Sequence, residues 1–223
     1  MVRQNISTAY DVKEGDYFDR VRKDIFSLLP LQSERIIELG CGTGATLKHL
    51  KDTGRCTWAC GIEQHHDAAE IARLTLDCVI EGDIEKIELP VGTASIDVVL
   101  CLDVLEHLVD PWTVVHKLDR LLRPGGVIIA SIPNVRNLQV LLPLMIRGKW
   151  NYTDAGILDR THLRFFTRDT ALQLMECSGL KVDSVTASNL KGWRPSTVAN
   201  YLTLSLFRPL LEYAYLIRAR KSK

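Results

Sequence analysis

Three glycines at alternate positions, in Glu38-Leu39-Gly40-Cys41-Gly42-Thr43-Gly44, separate an apolar run from an amphipathic one. The residues before them, RIIEL at 35–39, read as a short strand, and Ala45 to about Lys51 reads as a helix. Glycine permits the tight turn such a junction needs, and it lets a ligand lie against bare backbone. Strand, glycine turn and helix form the opening half of a βαβ unit, which commits the chain to an α/β sheet.

The alternation continues. TWACGI (57–62) is the next strand, Asp67 to Leu74 a helix, CVI (78–80) a brief strand, and IDVVLCL (96–102) a continuously apolar one. Asp110-Pro111 combines an N-cap acid with proline at the first helical position. The helix it opens turns Val114, Val115, Leu118, Leu121 and Leu122 inward and stops at Arg123-Pro124-Gly125-Gly126, before the strand VIIASI (127–132). Parallel strands joined by right-handed crossovers follow, and wholly apolar strands fit a sheet covered on both faces. Ahead of this core, Asp16 to Leu29 has helical spacing and ends at Pro30. Behind it the pattern lapses over 134–168, which is expected to be an inserted lid with some helix of its own. It resumes with a helix from Arg168 to Cys177, a strand LKVDSVTA (180–187), a helix from Thr197 to Leu211 and a closing strand YAYLIRAR (213–220). No repeat or linker interrupts 1–223, so one domain is expected.

Two acids agree with the glycine turn. Glu63 ends the second strand, 23 residues beyond Gly40, where a carboxylate accepts hydrogen bonds from ribose hydroxyls. Asp83, between Gly82 and Ile84, follows the third strand, and an acid beside an apolar residue suits an adenine amino group and ring face. Taken in order, ELGCGTG, GIEQ, EGDIE, IDVVLCLDVLEHLVDP and LRPGGVIIASIPN resemble the class I S-adenosylmethionine-dependent methyltransferases over roughly residues 35–133. That resemblance implies a Rossmann-like, doubly wound sheet of seven strands, mostly parallel, with the last strand antiparallel between the fifth and sixth. It also implies S-adenosyl-L-methionine as cofactor. Glu38, Gly40, Cys41 and Gly42 would face its methionine part, Glu63 and Gln64 its ribose, and Gly82, Asp83 and Ile84 its adenine. Cys101, Leu102 and Asp103 would floor the site.

The acceptor side is less determinate. Asp103-Val104-Leu105-Glu106-His107 follows the fourth strand, at the carboxyl edge where open α/β sheets bind ligands. His107 is a candidate base. The spacing Asp103, Glu106, His107 also resembles the acid-x-x-Glu-His metal cluster of ubiquinone-biosynthesis O-methyltransferases, although the first acid there is glutamate. Glu106 and His107 as mere loop-capping groups are the alternative. A second candidate, DRTHLRFFT (159–167), is similar to a segment of methyltransferases in bacterial polysaccharide and nucleotide-sugar pathways. There His162 would be the base, Arg160 and Arg164 would seat a phosphate or carboxylate, and Trp150 or Tyr152 would stack on an acceptor ring. Packing of Phe165 and Phe166 in the core is the competing reading. His65 and His66, which begin a helix beside the ribose site, are read as carrying no chemistry.

These features predict methyl transfer to a small-molecule or saccharide acceptor, with oxygen favoured over nitrogen, by direct displacement with a histidine base. N-methylation of an amino sugar or small amine and an inert binding module are the rivals. An NAD-dependent oxidoreductase would want Gly-x-Gly-x-x-Gly, and position 45 is Ala. With 28 Lys+Arg against 27 Asp+Glu and no basic stripe, nucleic acid is not the expected partner. MVRQNISTAYDVKEGDYFD lacks an apolar signal core and no run of 18 apolar residues occurs, so the cytoplasm is expected and a membrane span is not. The six cysteines are scattered, without a C-x-x-C pair, and read as small buried hydrophobes. Apolar Tyr201 to Leu211 suits packing on the sheet or a homodimer partner.

Overall fold

The computed structural model describes residues 20–188 and 208–222. Seven strands form one sheet in the order β3-β2-β1-β4-β5-β7-β6. They are β1 (Ser33–Leu39), β2 (Cys56–Glu63), β3 (Cys78–Glu81), β4 (Ile96–Leu102), β5 (Leu122–Pro133), β6 (Lys181–Ser188) and β7 (Ala214–Arg220). β1 to β5 pair in parallel, and β7 runs antiparallel to both β5 and β6, as expected. The helices are α1 (Ala45–Asp52), α2 (His66–Arg73), α3 (Pro111–Leu121), α4 (Leu138–Arg147), α5 (Arg168–Glu176) and α6 (Arg208–Leu211).

The apolar strands divide their side chains by alternation between two cores. Ile36, Val98, Leu100, Val127 and Ile129 pack on one face with Leu47 and Leu50 of α1. Ile37, Val99, Cys101, Ile128 and Ala130 pack on the other with Val115 and Leu118 of α3 and Leu174 of α5. A strand buried on both faces has few polar positions to spare, and the one in β4, buried Asp97, accepts the N–H groups of Glu34 (2.8 Å) and Arg35 (2.6 Å) and pairs with Arg123 (2.5 Å). Asp110 caps α3 as expected, accepting from the Thr113 N–H at 3.1 Å. All six cysteines are free thiols, Cys78 and Cys177 being only partly buried.

Three expectations change. Over its described part, 20–29, the expected first helix is only a 3-10 turn, Lys23–Ile25, followed by a turn over 26–28 and a bend at Leu29. Arg22 has ψ 74° and donates its N–H to Thr46 Oγ1 (3.2 Å), so a tertiary bond replaces the helical one. Ile25, Leu28 and Leu29 are still buried, which explains the misleading spacing. β5 starts at Leu122 rather than after Gly126, because Leu122 already pairs with Ile96 across a register shift. The segment after β5 does hold a helix, α4, with bridges Asn134–Phe166 and Thr153–Asp159 tying the rest. Of the expected helix 197–211, residues 208–211 are helical and the remainder lies outside the described residues.

Candidate active site

β1 and β4 are neighbours whose crossovers leave in opposite directions, so a crevice opens at their carboxyl ends. Gly40, Gly42 and Gly44 all have positive φ (60°, 55° and 81°), which lets the chain fold back over β1 without side-chain strain. A Cβ on Gly40 would stand 2.8 Å from Val104 Cγ2. Glycine there keeps the turn close to the end of β4.

Glu63 reaches from β2 into this turn. Its Oε2 accepts the Gly42 N–H at 2.8 Å, and its Oε1 accepts the N–H groups of Gln64 (2.9 Å) and His65 (2.8 Å). One carboxylate thus fixes the glycine turn to the start of the next loop, while the Gln64 side chain remains exposed. Glu38 is buried, and its Oε2 has no hydrogen-bond partner. Burial pushes its carboxyl up to about 8, with the Arg22 guanidinium opposing and the Glu63 charge adding to the shift. An orphaned buried carboxylate behind a glycine turn is a fitting seat for a cationic ligand group. Asp83 accepts the Glu85 N–H (3.0 Å) and pairs with Lys86 (2.5 Å), beside buried Ile84. Cys101 and Leu102 lie buried under the crevice, and the Cys101 thiol is raised by burial and then by Glu38.

Asp103, at φ 58°, is the one residue outside glycine and Ala94 with positive φ among the described residues. It accepts from Ser131 Oγ (2.5 Å) and pairs with Arg22 Nη1 (2.5 Å), which also binds Asp24 through Nη2 (3.0 Å). Those partners tie Asp103 to β5 and to the segment before β1. Arg22 was not recognisable in the sequence, since an arginine on the polar face of an apparent helix carries no signal.

The other side of the crevice is assembled from two distant segments. The 3-10 turn Leu105–His107 offers the Glu106 carbonyl to the N–H groups of Leu163 (2.8 Å) and Arg164 (2.9 Å). That clasp brings the two candidate histidines together. Their rings meet edge to face at 4.6 Å, with His107 Nδ1 3.1 Å from the Thr161 carbonyl and His162 Nδ1 3.0 Å from the Ile157 carbonyl. Glu106 is 1% exposed, and His162 Nε2 lies 3.9 Å from its Oε1. Neither Glu106 oxygen has a hydrogen-bond partner, and burial, reinforced by the Asp103 charge, holds its carboxyl well above the usual range. One ligand atom from each of Glu106, His107 and His162 falls within 4.8 Å of the others, so this trio, rather than one including Asp103, has metal-binding geometry.

Phe165 joins an aromatic group with Trp150 (centroids 5.2 Å apart), Tyr152 (6.4 Å) and His162 (6.3 Å), while Phe166 is in the core. The two arginines do not converge. Arg160 pairs with exposed Asp154 (2.9 Å), and Arg164 donates to the Val109 carbonyl at 3.1 Å through Nε. Asp159 Oδ1 fastens Thr161, accepting its N–H (2.9 Å) and its hydroxyl (2.6 Å). His66 is exposed and pairs with Glu81.

Residues 14–185 match the model of a methyltransferase-domain family. The chain belongs to that family. It is a methyltransferase, and S-adenosylmethionine is its methyl donor. Similar curated proteins include the ubiquinone biosynthesis O-methyltransferase of Azoarcus sp. (strain BH72), 27% identical over 70% of this chain and 71% of that protein. The protein of that name from Xanthomonas oryzae pv. oryzae (strain PXO99A) is 29% identical over 72% of each. Among solved structures, an S-adenosylmethionine-dependent methyltransferase from Archaeoglobus fulgidus superposes with a TM-score of 0.66 at 18% identity, covering 93% of this chain and 95% of that one. One from Thermotoga maritima gives 0.63 at 22% identity, covering 89% and 86%. The methyltransferase thus shares its fold with these structures, and the expected kinship with polysaccharide pathways has no counterpart among the relatives named.

Proposed function

We propose that this methyltransferase methylates a hydroxyl of a small acceptor, held between the Glu106–His107–His162 cluster and the Trp150–Tyr152–Phe165 aromatic group. The observation that carries the reading is the meeting of His107 and His162 at the end of β4, beside the glycine turn. S-Adenosylmethionine supplies an electrophilic sulfonium-bound methyl carbon, open to direct displacement. The chain's work is to hold, align and deprotonate. Gly40 to Gly42, Glu38, Glu63 and Asp83 would hold the donor, and alignment alone supplies several kcal/mol. With Nδ1–H donated to the Ile157 carbonyl, His162 presents Nε2 as its basic nitrogen. Glu106, 3.9 Å away and held neutral by burial, would offer the imidazolium a carboxyl dipole rather than a full charge once the hydroxyl proton has moved. The aromatic group would cover an acceptor ring and exclude water. Phenols fit this wall, as do the nucleoside parts of nucleotide sugars, and the O-methyltransferase names of the relatives support oxygen as the acceptor atom.

A titration with S-adenosylhomocysteine, NAD being the control, tests the donor site. Labelled methyl donor offered with phenolic acids, nucleotide sugars and amines tests the acceptor. Transfer to amines alone would replace oxygen by nitrogen, and donor binding without transfer to any acceptor would leave an inert binding module. A second reading has its own observation, the compact Glu106–His107–His162 trio with both glutamate oxygens unpartnered. Such a site would take a divalent ion and lower a bound hydroxyl's pKa. Activity abolished by chelation and restored by one added metal would favour it over the histidine base.

A further inference from the structure

The turn that carries His162 is closed on itself. The Thr153 N–H donates to the Leu158 carbonyl (2.9 Å) and the Arg160 N–H to the Thr153 carbonyl (2.9 Å). The Asp159 N–H reaches the Gly156 carbonyl (3.1 Å), and the His162 N–H that of Asp159 (3.0 Å). A side chain from the far end of the chain enters this turn. Tyr213, the residue before β7, is half-buried, and a Cβ on Gly156 would stand 2.8 Å from its hydroxyl oxygen. Gly156 has φ 94°, so a glycine both tolerates the backbone there and leaves room for that hydroxyl.

The next residue, buried Ile157, links the phenol to the imidazole. Its backbone hydrogen-bonds the Tyr213 hydroxyl, and because that bond favours the ionised phenol it is made by the N–H. Its carbonyl lies 3.0 Å from His162 Nδ1. Burial, followed by the charges of Asp103 and Asp159, outweighs the Ile157 bond and raises the phenol, which therefore stays protonated near neutral pH. Those two carboxylates belong to opposite sides of the crevice, Asp103 to the end of β4 and Asp159 to the turn.

Tyr213 is itself firmly mounted. Its carbonyl accepts the Asn134 N–H (2.9 Å), and Ala214 pairs with Pro133 at the end of β5. Asn134 Nδ2 and Asn137 Nδ2 both donate to the carbonyl of the preceding Glu212 (2.9 and 3.0 Å). The hydroxyl thus sets the turn against the carboxyl edge of the sheet.

We propose that Tyr213 is a positioning residue for methyl transfer. Its hydroxyl holds Ile157, whose carbonyl keeps the His162 proton on Nδ1 and the basic lone pair on Nε2. The consequence for turnover rests on His162 being the base, as proposed above, whereas the consequence for its tautomer does not.

Tyr213→Phe removes one oxygen and leaves the ring. Heteronuclear NMR of the imidazole nitrogens in the full chain, with a chelator present, reads the tautomer, and loss of signals in His162→Ala assigns them. The wild type should show His162 in its Nδ1–H form, and Tyr213→Phe a mixture of both forms. With the acceptor found by labelled methyl transfer, kcat should fall about tenfold, within the roughly hundredfold that a misplacement of about 1 Å can cost. KM for S-adenosylmethionine and affinity for S-adenosylhomocysteine should stay at wild-type values, which verifies the fold. A merely structural role would lower stability or donor affinity and leave the tautomer as it is. Retention of the Nδ1–H form in Tyr213→Phe would overturn the proposal, whatever the turnover. Mixed tautomers with wild-type turnover would support the link from Tyr213 to His162 and overturn instead the assignment of His162 as the base.

Discussion

The two sides of the crevice are built by opposite means. The proposed donor side is built of main chain and carboxylates. Glu63 is gripped by three backbone N–H groups, and the glycine turn holds positive φ at three positions. These parts stand at the ends of β1, β2 and β3, each within a short stretch of chain. The proposed acceptor side rests on side chains, gathered by backbone contacts between distant segments such as that of His107 Nδ1 with the carbonyl of Thr161, 54 residues away. A backbone-built site can change little without losing its turn. A site built of side chains on an inserted segment can be re-equipped residue by residue, which is how one donor fold comes to serve many acceptors.

The largest effect should come from breaking the acceptor side alone. His162→Ala should lower kcat by about 10²–10⁴, the range of a general base, with S-adenosylhomocysteine affinity unchanged. Wild-type turnover in that variant would remove His162 from the reaction. His107→Ala should cost less, and the double variant should be little worse than His162→Ala, because residues in direct contact act as a unit. Multiplying effects would show instead that the two histidines serve separate steps.

Breaking the donor side should give the complementary pattern. Glu63→Ala removes the carboxylate and leaves three N–H groups without their acceptor. Affinity for S-adenosylhomocysteine should fall about 10- to 100-fold, or about 1.4–2.8 kcal/mol, while kcat at saturating donor stays within a few-fold of wild type. An unchanged dissociation constant by calorimetry would take Glu63 out of the donor site. Gly40→Ala adds a Cβ at positive φ against Val104, and about 1–3 kcal/mol of stability should be lost in denaturant unfolding. A stability equal to wild type would mean that the turn relaxes away from β4.

What could be read from the sequence follows the same division. The alternating strands and the glycine turn were legible because each motif is local and lies at a strand end, and the antiparallel β7 followed from the family resemblance those motifs carry. His107 and His162 were both legible as chemistry, yet only as rivals. Their union depends on the clasp between the Glu106 carbonyl and the 163–164 backbone, and a backbone carbonyl leaves no trace in residue type. Arg22 was hidden for a related reason. Ile25, Leu28 and Leu29 have helical spacing but reach the core from a 3-10 turn and the turn and bend after it, so the bond from Arg22 to Asp103 belongs to a conformation that the periodicity disguises. The arginines of 159–167 attracted attention by density, but Arg164 is engaged by the Val109 carbonyl and Arg160 by Asp154.

The smallest expected effect sharpens the donor side further. Glu38 is held in its neutral form by burial, its carboxyl shifted from an ordinary 4.5 to about 8. A folded-state value above the unfolded one favours the protonated protein. Its contribution to stability is therefore complete below about pH 4.5 and is lost as pH rises through about 8. Glu38→Gln keeps the shape without the titration. Thermal unfolding of this variant should match wild type near pH 5 and exceed it by about 2–4 °C near pH 9. Donor binding supplies the second half of the test. An ammonium group placed over the glycine turn would give the orphaned oxygen a partner and favour the carboxylate. Wild-type protein should then release a proton on binding S-adenosylhomocysteine at pH 7, and Glu38→Gln should release none. Calorimetry in buffers of different ionisation heat measures that difference directly. Equal proton release by the two proteins would place the donor's cationic end away from Glu38 and leave the carboxylate a purely structural burial, at odds with the backbone-and-carboxylate character of this side of the crevice.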